Sequence, residues 1–226
     1  MKKIILYSAI YIASVALLIF VVYIIAQNGE DVNKDMAVPQ DWAEYKFNDG
    51  VFSIKVPPTV ELRRNTDKHT QMLSNSGLPT FIDEHSVIFQ QKGLSFHQDE
   101  AKGKYARIIL QFYTKAQNTF PKRYESINTP TQQEVYEIIN NQIGYSPTPP
   151  NVYDIEYGNE IINGNQCFII RYTRTGVNNA PPVKSKICIF LNDRYFAKIV
   201  YSYRVVHSEI WANDFDQSLQ TFRWLK

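Results

Sequence analysis

The run from Ile4 to Ala26 contains no charged residue, and this constrains the chain more than any other feature of its sequence. As a helix its 23 residues, at about 1.5 Å each, reach past a hydrocarbon core of roughly 30 Å. A cleavable secretory signal is the competing reading, but its apolar stretch is about 7 to 15 residues long and ends in a small-x-small site. Ile24-Ile25-Ala26-Gln27 offers no such site, and no Cys stands next to it for lipidation. The run therefore reads as an uncleaved signal anchor. Lys2 and Lys3 precede it and Asn28-Gly29-Glu30-Asp31 follows it, so the positive-inside rule places the N-terminus in the cytoplasm and the remaining ~200 residues outside. The expected organisation is a cytoplasmic stub at 1–3, a transmembrane anchor at 4–26 in the lipid bilayer, a tether at 27–41 and one extracytoplasmic domain at 42–226. The outer space is a periplasm or an open cell surface.

The body is electrically neutral. Lys and Arg number 24 against 22 Asp and Glu, and without Lys2 and Lys3 the two signs balance. Nucleic-acid binding, which draws on a net positive surface, is not expected.

After Trp42 the pattern is mostly period two, the mark of strands. Val51 to Val56 alternates and stops at Pro57-Pro58, which cannot continue a central ladder. Ser86 to Gln91 and Leu94 to Gln98 flank Lys92-Gly93 and read as a hairpin. Ala106 to Tyr113 is a further strand, with Ala106, Ile108, Leu110 and Phe112 on its inner side. Asn163-Gly164 is the strongest hairpin signal in the chain, because a type I′ turn needs positive φ twice. It joins Val152 to Ile162 with Asn165 to Arg174; Val183 to Leu191 and Tyr195 to Arg204 extend these into a four-strand antiparallel meander. Two helices are clear. Thr129-Pro130-Thr131-Gln132 supplies an N-cap, a first-turn Pro and a capping-box Gln ahead of the stripe Val135, Ile138, Ile139 and Ile143. The second opens near Ser208, which reads as its cap, and carries Trp211, Phe215, Leu219 and Phe222. The fold class is α+β, an antiparallel sheet covered by helices.

The element order, with Phe52-Ser-Ile-Lys-Val-Pro57, Ile162-Asn-Gly-Asn165, the Tyr195 to Tyr203 strand and a closing Ser218-Leu-Gln-Thr-Phe222, resembles the PsbP-like fold. That family includes the extrinsic photosystem II subunit and a Ran-binding nuclear transport factor. The resemblance covers about residues 42 to 226. It implies an α/β/α sandwich and a non-enzymatic, protein-binding role. No functional residue of those relatives has a counterpart here, and neither has the membrane anchor, so their partners do not transfer.

Chemistry is sparse. No glycine-rich loop follows a strand and opens a helix, so no phosphate cradle and no cofactor are expected. Four His, at 69, 85, 97 and 207, come without a nucleophile signature; an envelope hydrolase survives only as a third reading, because triads assemble from distant residues. Asp83, Glu84 and His85 with His97, Asp99 and Glu100 form the densest polar cluster, able in principle to hold Zn²⁺ or Ca²⁺ in a small-ligand or metal-binding domain. Two solvated strand ends explain it more simply. Cys167 and Cys188 would stand opposite each other if their hairpin were centred between Val177 and Asn178. A disulfide is chemically allowed outside the cytoplasm, whereas the loop centre, one residue later, favours small core hydrophobes. Finally, Arg171, Lys184, Lys186, Lys198 and Arg204 share one alternate register if Phe168, Ile170, Tyr172, Ile187, Ile189, Leu191, Ile199, Tyr201 and Tyr203 face the core. They would form a basic stripe for an anionic partner or lipid headgroups, or a solvated face. The expected function is therefore a binding or scaffolding domain that meets an unidentified envelope protein, not an enzyme.

Overall fold

The computed structural model describes residues 41–47, 50–63, 86–94, 103–114, 130–144, 149–176 and 180–226. The expected anchor at 4–26, nearly all of the tether, and the cluster of Asp83, Glu84, His85, His97, Asp99 and Glu100 lie outside the described residues. Among the described residues no helix is long and apolar enough to cross a membrane.

Among the described residues ten strands and two α-helices build the body: β1 (Ala43–Phe47), β2 (Phe52–Val56), β3 (Val60–Leu62), β4 (Ser86–Gln91), β5 (Ala106–Thr114), α1 (Gln132–Ile143), β6 (Val152–Ile162), β7 (Asn165–Arg174), β8 (Val183–Leu191), β9 (Tyr195–Arg204), α2 (Ser208–Gln220) and β10 (Arg223–Trp224). Seven strands form the main antiparallel sheet in the order β3-β4-β5-β9-β8-β7-β6, and β1-β2-β10 form a small second sheet. The meander β6 to β9 runs as the alternation and the Asn163-Gly164 turn demand. Asn163 has φ 45 and Gly164 φ 75, the two left-handed residues of a tight hairpin.

Apolar side chains leave both faces of the main sheet, so both must be covered. On one face Ile108, Leu110, Ile169, Phe190, Ile199 and Tyr201 pack against Trp211, Phe215 and Leu219 of α2 and against Phe52 and Ile54 of β2. On the other, Phe168, Ile170, Ile187, Ile189 and Val200 pack against Val135, Ile138 and Ile139 of α1. The result is a helix–sheet–helix sandwich with a small sheet beside α2.

Several sequence expectations shift. Strand β4 pairs with β3 on one side and β5 on the other, and of the expected strand Leu94 to Gln98 all but Leu94 lies outside the described residues. Gly93 does take positive φ, but its N–H donates to Glu61 of β3 at 3.0 Å. The cap of α1 is Thr131, not Thr129: its hydroxyl accepts from the Glu134 N–H while the Glu134 carboxylate takes the Thr131 N–H. Glu134 thus replaces the expected Gln132, and the backbone hydrogen bond holds its carboxyl below the ordinary range. Ser208 does not cap α2 either; His207 occupies that position without a side-chain capping bond. Helix α2 ends at Gln220, and Phe222 enters the core from the turn beyond it.

Candidate functional site

The five cations expected to make one stripe are divided between two faces. Arg171 stands opposite Lys186, and Lys184 opposite Thr173, all on the α2 face with Ile169 and Cys188. Lys198 instead stands opposite Ile189, a residue of the α1 core, and Arg204 shares its parity on β9. The expected core set fails for the same reason: Ile199 and Tyr201 point toward α2, whereas Phe168, Ile170, Ile187 and Ile189 point toward α1. A sheet apolar on both faces gives period two no means of choosing which parity of β9 matches which parity of β8.

Local acids also engage the cations. Arg171 pairs with Glu160 at 2.7 Å, and that hydrogen bond raises the guanidinium's pKa further. Lys186 is ion-paired with Asp216 of α2. Arg204 donates to the Pro181 carbonyl at 3.1 Å and lies over the Tyr105 ring. Lys184 is exposed. The stripe is therefore not a continuous basic surface.

The disulfide is not formed. Cys167 and Cys188 are both buried free thiols. Cys167 pairs in register with Phe190, and Cys188 with Ile169, so the two thiols are diagonal on one face rather than opposed. Diagonal Cα atoms are ~7–8 Å apart, beyond the span a bridge prefers. Burial, and secondarily the neighbouring Cys188, pushes the Cys167 thiol far up, leaving it neutral and unreactive.

His207 is half-buried, and its Nδ1 is buried with no hydrogen-bond partner among the described residues. No group of three or more His, Cys, Asp or Glu able to hold a metal ion occurs among the described residues.

What the sheet does present is an edge. Strand β6 is eleven residues long, and among the described residues it pairs only with β7. The other edge of this sheet, β3, has three residues. Along β6, Tyr153, Tyr157 and Ile161 are exposed at 39%, 44% and 69%, while Tyr157 leans on Phe168 with ring centroids 6.3 Å apart. A bulge between Tyr153 and Glu156, with Asp154 at φ 53, interrupts the ladder and leaves an unbroken paired segment from Glu156 to Ile162. Sequence reading found this strand but not its place at the rim. Its weak alternation and three acids without a base are the signal that could have pointed there, since central strands are more apolar.

An antiparallel sheet between two helical layers defines an α+β sandwich. No family model matches the sequence, and no curated protein matches it. Among solved structures the chain is similar to cyanobacterial PsbP of Synechocystis sp., at 10% identity and TM-score 0.54, over 83% of this chain and 95% of that one. The fold is PsbP-like. The chain is more distantly similar to a protein of Bacteroides thetaiotaomicron, at 9% identity and TM-score 0.46 over 83% of this chain and 50% of that one. It is likewise similar to LpqN, involved in cell envelope biogenesis of Mycobacterium tuberculosis, at 7% identity and TM-score 0.42 over 80% and 88%.

Proposed function

We propose that this protein is a single-pass membrane protein whose extracytoplasmic domain acts by contact with another protein of the cell envelope, without a chemical step of its own. The topology rests on the uncharged run Ile4 to Ala26 behind Lys2 and Lys3. The observation that carries the contact reading is the long β6 edge, which among the described residues pairs on one side only and exposes three large side chains, Tyr153, Tyr157 and Ile161. Soluble domains usually shorten, cover or charge such an edge, because it templates pairing with another chain. The acids of β6 limit indiscriminate pairing, and the exposed rings supply the kind of anchor that interfaces use.

Two measurements test this reading. Protease added to intact cells or spheroplasts should digest the body of a membrane-bound protein; protection until the cytoplasm is opened would reverse the topology. A photocrosslinking amino acid at Tyr157 should give a discrete adduct in living cells, and the same group at exposed Val206, beyond β9, should not. Equal adducts from both positions, or none from Tyr157, would remove the β6 edge as the contact surface.

A further inference from the structure

The register of β6 fixes what its free rim looks like. Ile162 and Asn165 flank the two-residue turn, so they form a hydrogen-bonded pair, and alternate residues of β6 from Ile162 backward direct their main-chain groups to β7. Tyr157 and Ile161 therefore direct theirs outward. Their side chains project on the α1 face, beside Phe168, whereas Glu156, Gly158 and Glu160 share the α2 face with Cys167 and Ile169. The rim thus has an apolar side and an acidic side, each with a repeat of two.

Charge decides the occupant. Asp154, Glu156 and Glu160 are the only ionisable side chains of β6 apart from its tyrosines, and no Lys, Arg or His lies on the strand. A second copy of β6 added antiparallel about Gly158 would set Glu156 against Glu160 of the other copy, twice, and like charges directly opposed are destabilising. Arg171 neutralises Glu160 from within and leaves Glu156 and Asp154 exposed. Between the two glutamates Gly158 opens a notch: among the described residues nothing lies within 4 Å of where its Cβ would stand. Glycine inside a strand costs pairing stability and marks places where another group approaches closely.

We propose that β6 accepts, as an added edge strand, an extended segment of a partner protein in which Lys or Arg alternates with apolar residues. The apolar positions cover Tyr157 and Ile161, and a cationic head reaches across the Gly158 notch to Glu156. Main-chain hydrogen bonds to the outward groups supply affinity, and the two-sided rim supplies specificity. This inference rests on the contact reading above and adds the chemistry of the partner.

The full-length protein in nonionic detergent, titrated into a labelled peptide alternating Lys with Val, gives the test by fluorescence anisotropy. Binding should weaken as salt is raised, and a peptide alternating Glu with Val should not bind. Ile161→Pro removes an outward N–H while leaving the ladder to β7, so it should weaken binding about tenfold with an unchanged unfolding midpoint. Glu156→Lys, at an exposed side chain, and Gly158→Val, which fills the notch in open space, should each weaken it comparably while the fold persists. Equal binding of the two peptides, or affinity indifferent to Ile161→Pro, overturns the proposal. A concentration-dependent dimer abolished by Ile161→Pro would do so as well, by making a second copy the occupant. If the crosslink from Tyr157 persists while the Lys/Val peptide fails to bind, the contact reading stands and the cationic partner falls.

Discussion

The two faces of the main sheet are covered by different means. On the α1 face, among the described residues, one twelve-residue helix lays Val135, Ile138 and Ile139 over Ile170, Ile187, Ile189 and Val200, with Phe168, Tyr172 and Phe196 beside them. On the α2 face a helix, a second sheet and the turn after α2 combine into a network of rings: Phe222 stacks on Phe190 with centroids 3.8 Å apart, Phe52 lies 5.6 Å from Phe222, and Trp211 lies 5.9 Å from Phe215. Polar links stitch the same layer. Ser218 donates to the Lys55 carbonyl at 2.7 Å, Tyr201 donates to Ser218, and the Lys55 N–H donates to Thr221. The α1 face is held mainly by burial, whereas the α2 face adds directional bonds between segments far apart in sequence. That contrast predicts that the face including β2 and β10 fixes the sandwich and that the α1 face loosens first.

The largest expected effect follows from removing a ring at the centre of the stronger face. Phe222→Ala should cost on the order of 3 to 5 kcal/mol, read from the denaturant midpoint at constant slope. A loss within about 0.5 kcal/mol, as exposed positions give, would mean that the stacked cluster is dispensable. Next comes the weaker face, where Ile139→Ala should cost roughly 2 to 5 kcal/mol. Its signature should differ: amide exchange in α1 should accelerate well before exchange in β8 and β9 does. Uniform acceleration would show that both faces open together and erase the contrast. The smallest effect concerns β1 and β10, where Glu44 is ion-paired with Arg223. The hydrogen bond from Arg223 holds the Glu44 carboxyl below its ordinary value of 4.5. A carboxylate with a lowered folded-state pKa contributes stability that is present above 4.5 and is lost as pH falls below it. Glu44→Gln should therefore bring the thermal midpoints of variant and parent together as pH drops from about 6 to 3, with a small gap only at the upper end. A gap that widens on acidification would mean that the pair does not hold the small sheet.

The elements legible in sequence were those with sustained periodicity or unambiguous turn chemistry. The meander, the Asn163-Gly164 turn, the α1 stripe and Trp211, Phe215 and Leu219 of α2 stand where pattern put them, while Phe222 lies past the helix end. Strands β1, β3 and β10, with five, three and two residues, were not readable. Runs of two or three residues carry no period, and β10 forms on the ladder that Ser53 and Phe52 offer it. Thr129 and Thr131 each head a plausible cap, and it is the reach of Glu134 that selects the second. At the candidate site, the composition of β6 was visible and its exposure was not, because an edge is defined by which strand fails to arrive on its outer side.

The link between β2 and β10 also bears on the order in which the chain can assemble. Arg223 reaches Ser53 across 170 residues at 3.0 Å, and the Thr221 contact to Lys55 spans 166. A chain emerging from a ribosome or translocon, N-terminal part first, exposes β1 and β2 long before α2 and β10 exist. Their apolar residues Phe52, Ile54 and Val56 must wait uncovered while the meander forms. Such distant closures are entropically late and slow. Folding of this domain should thus end with its first strands, and the interval before that closure is when a chaperone has an early hairpin to hold.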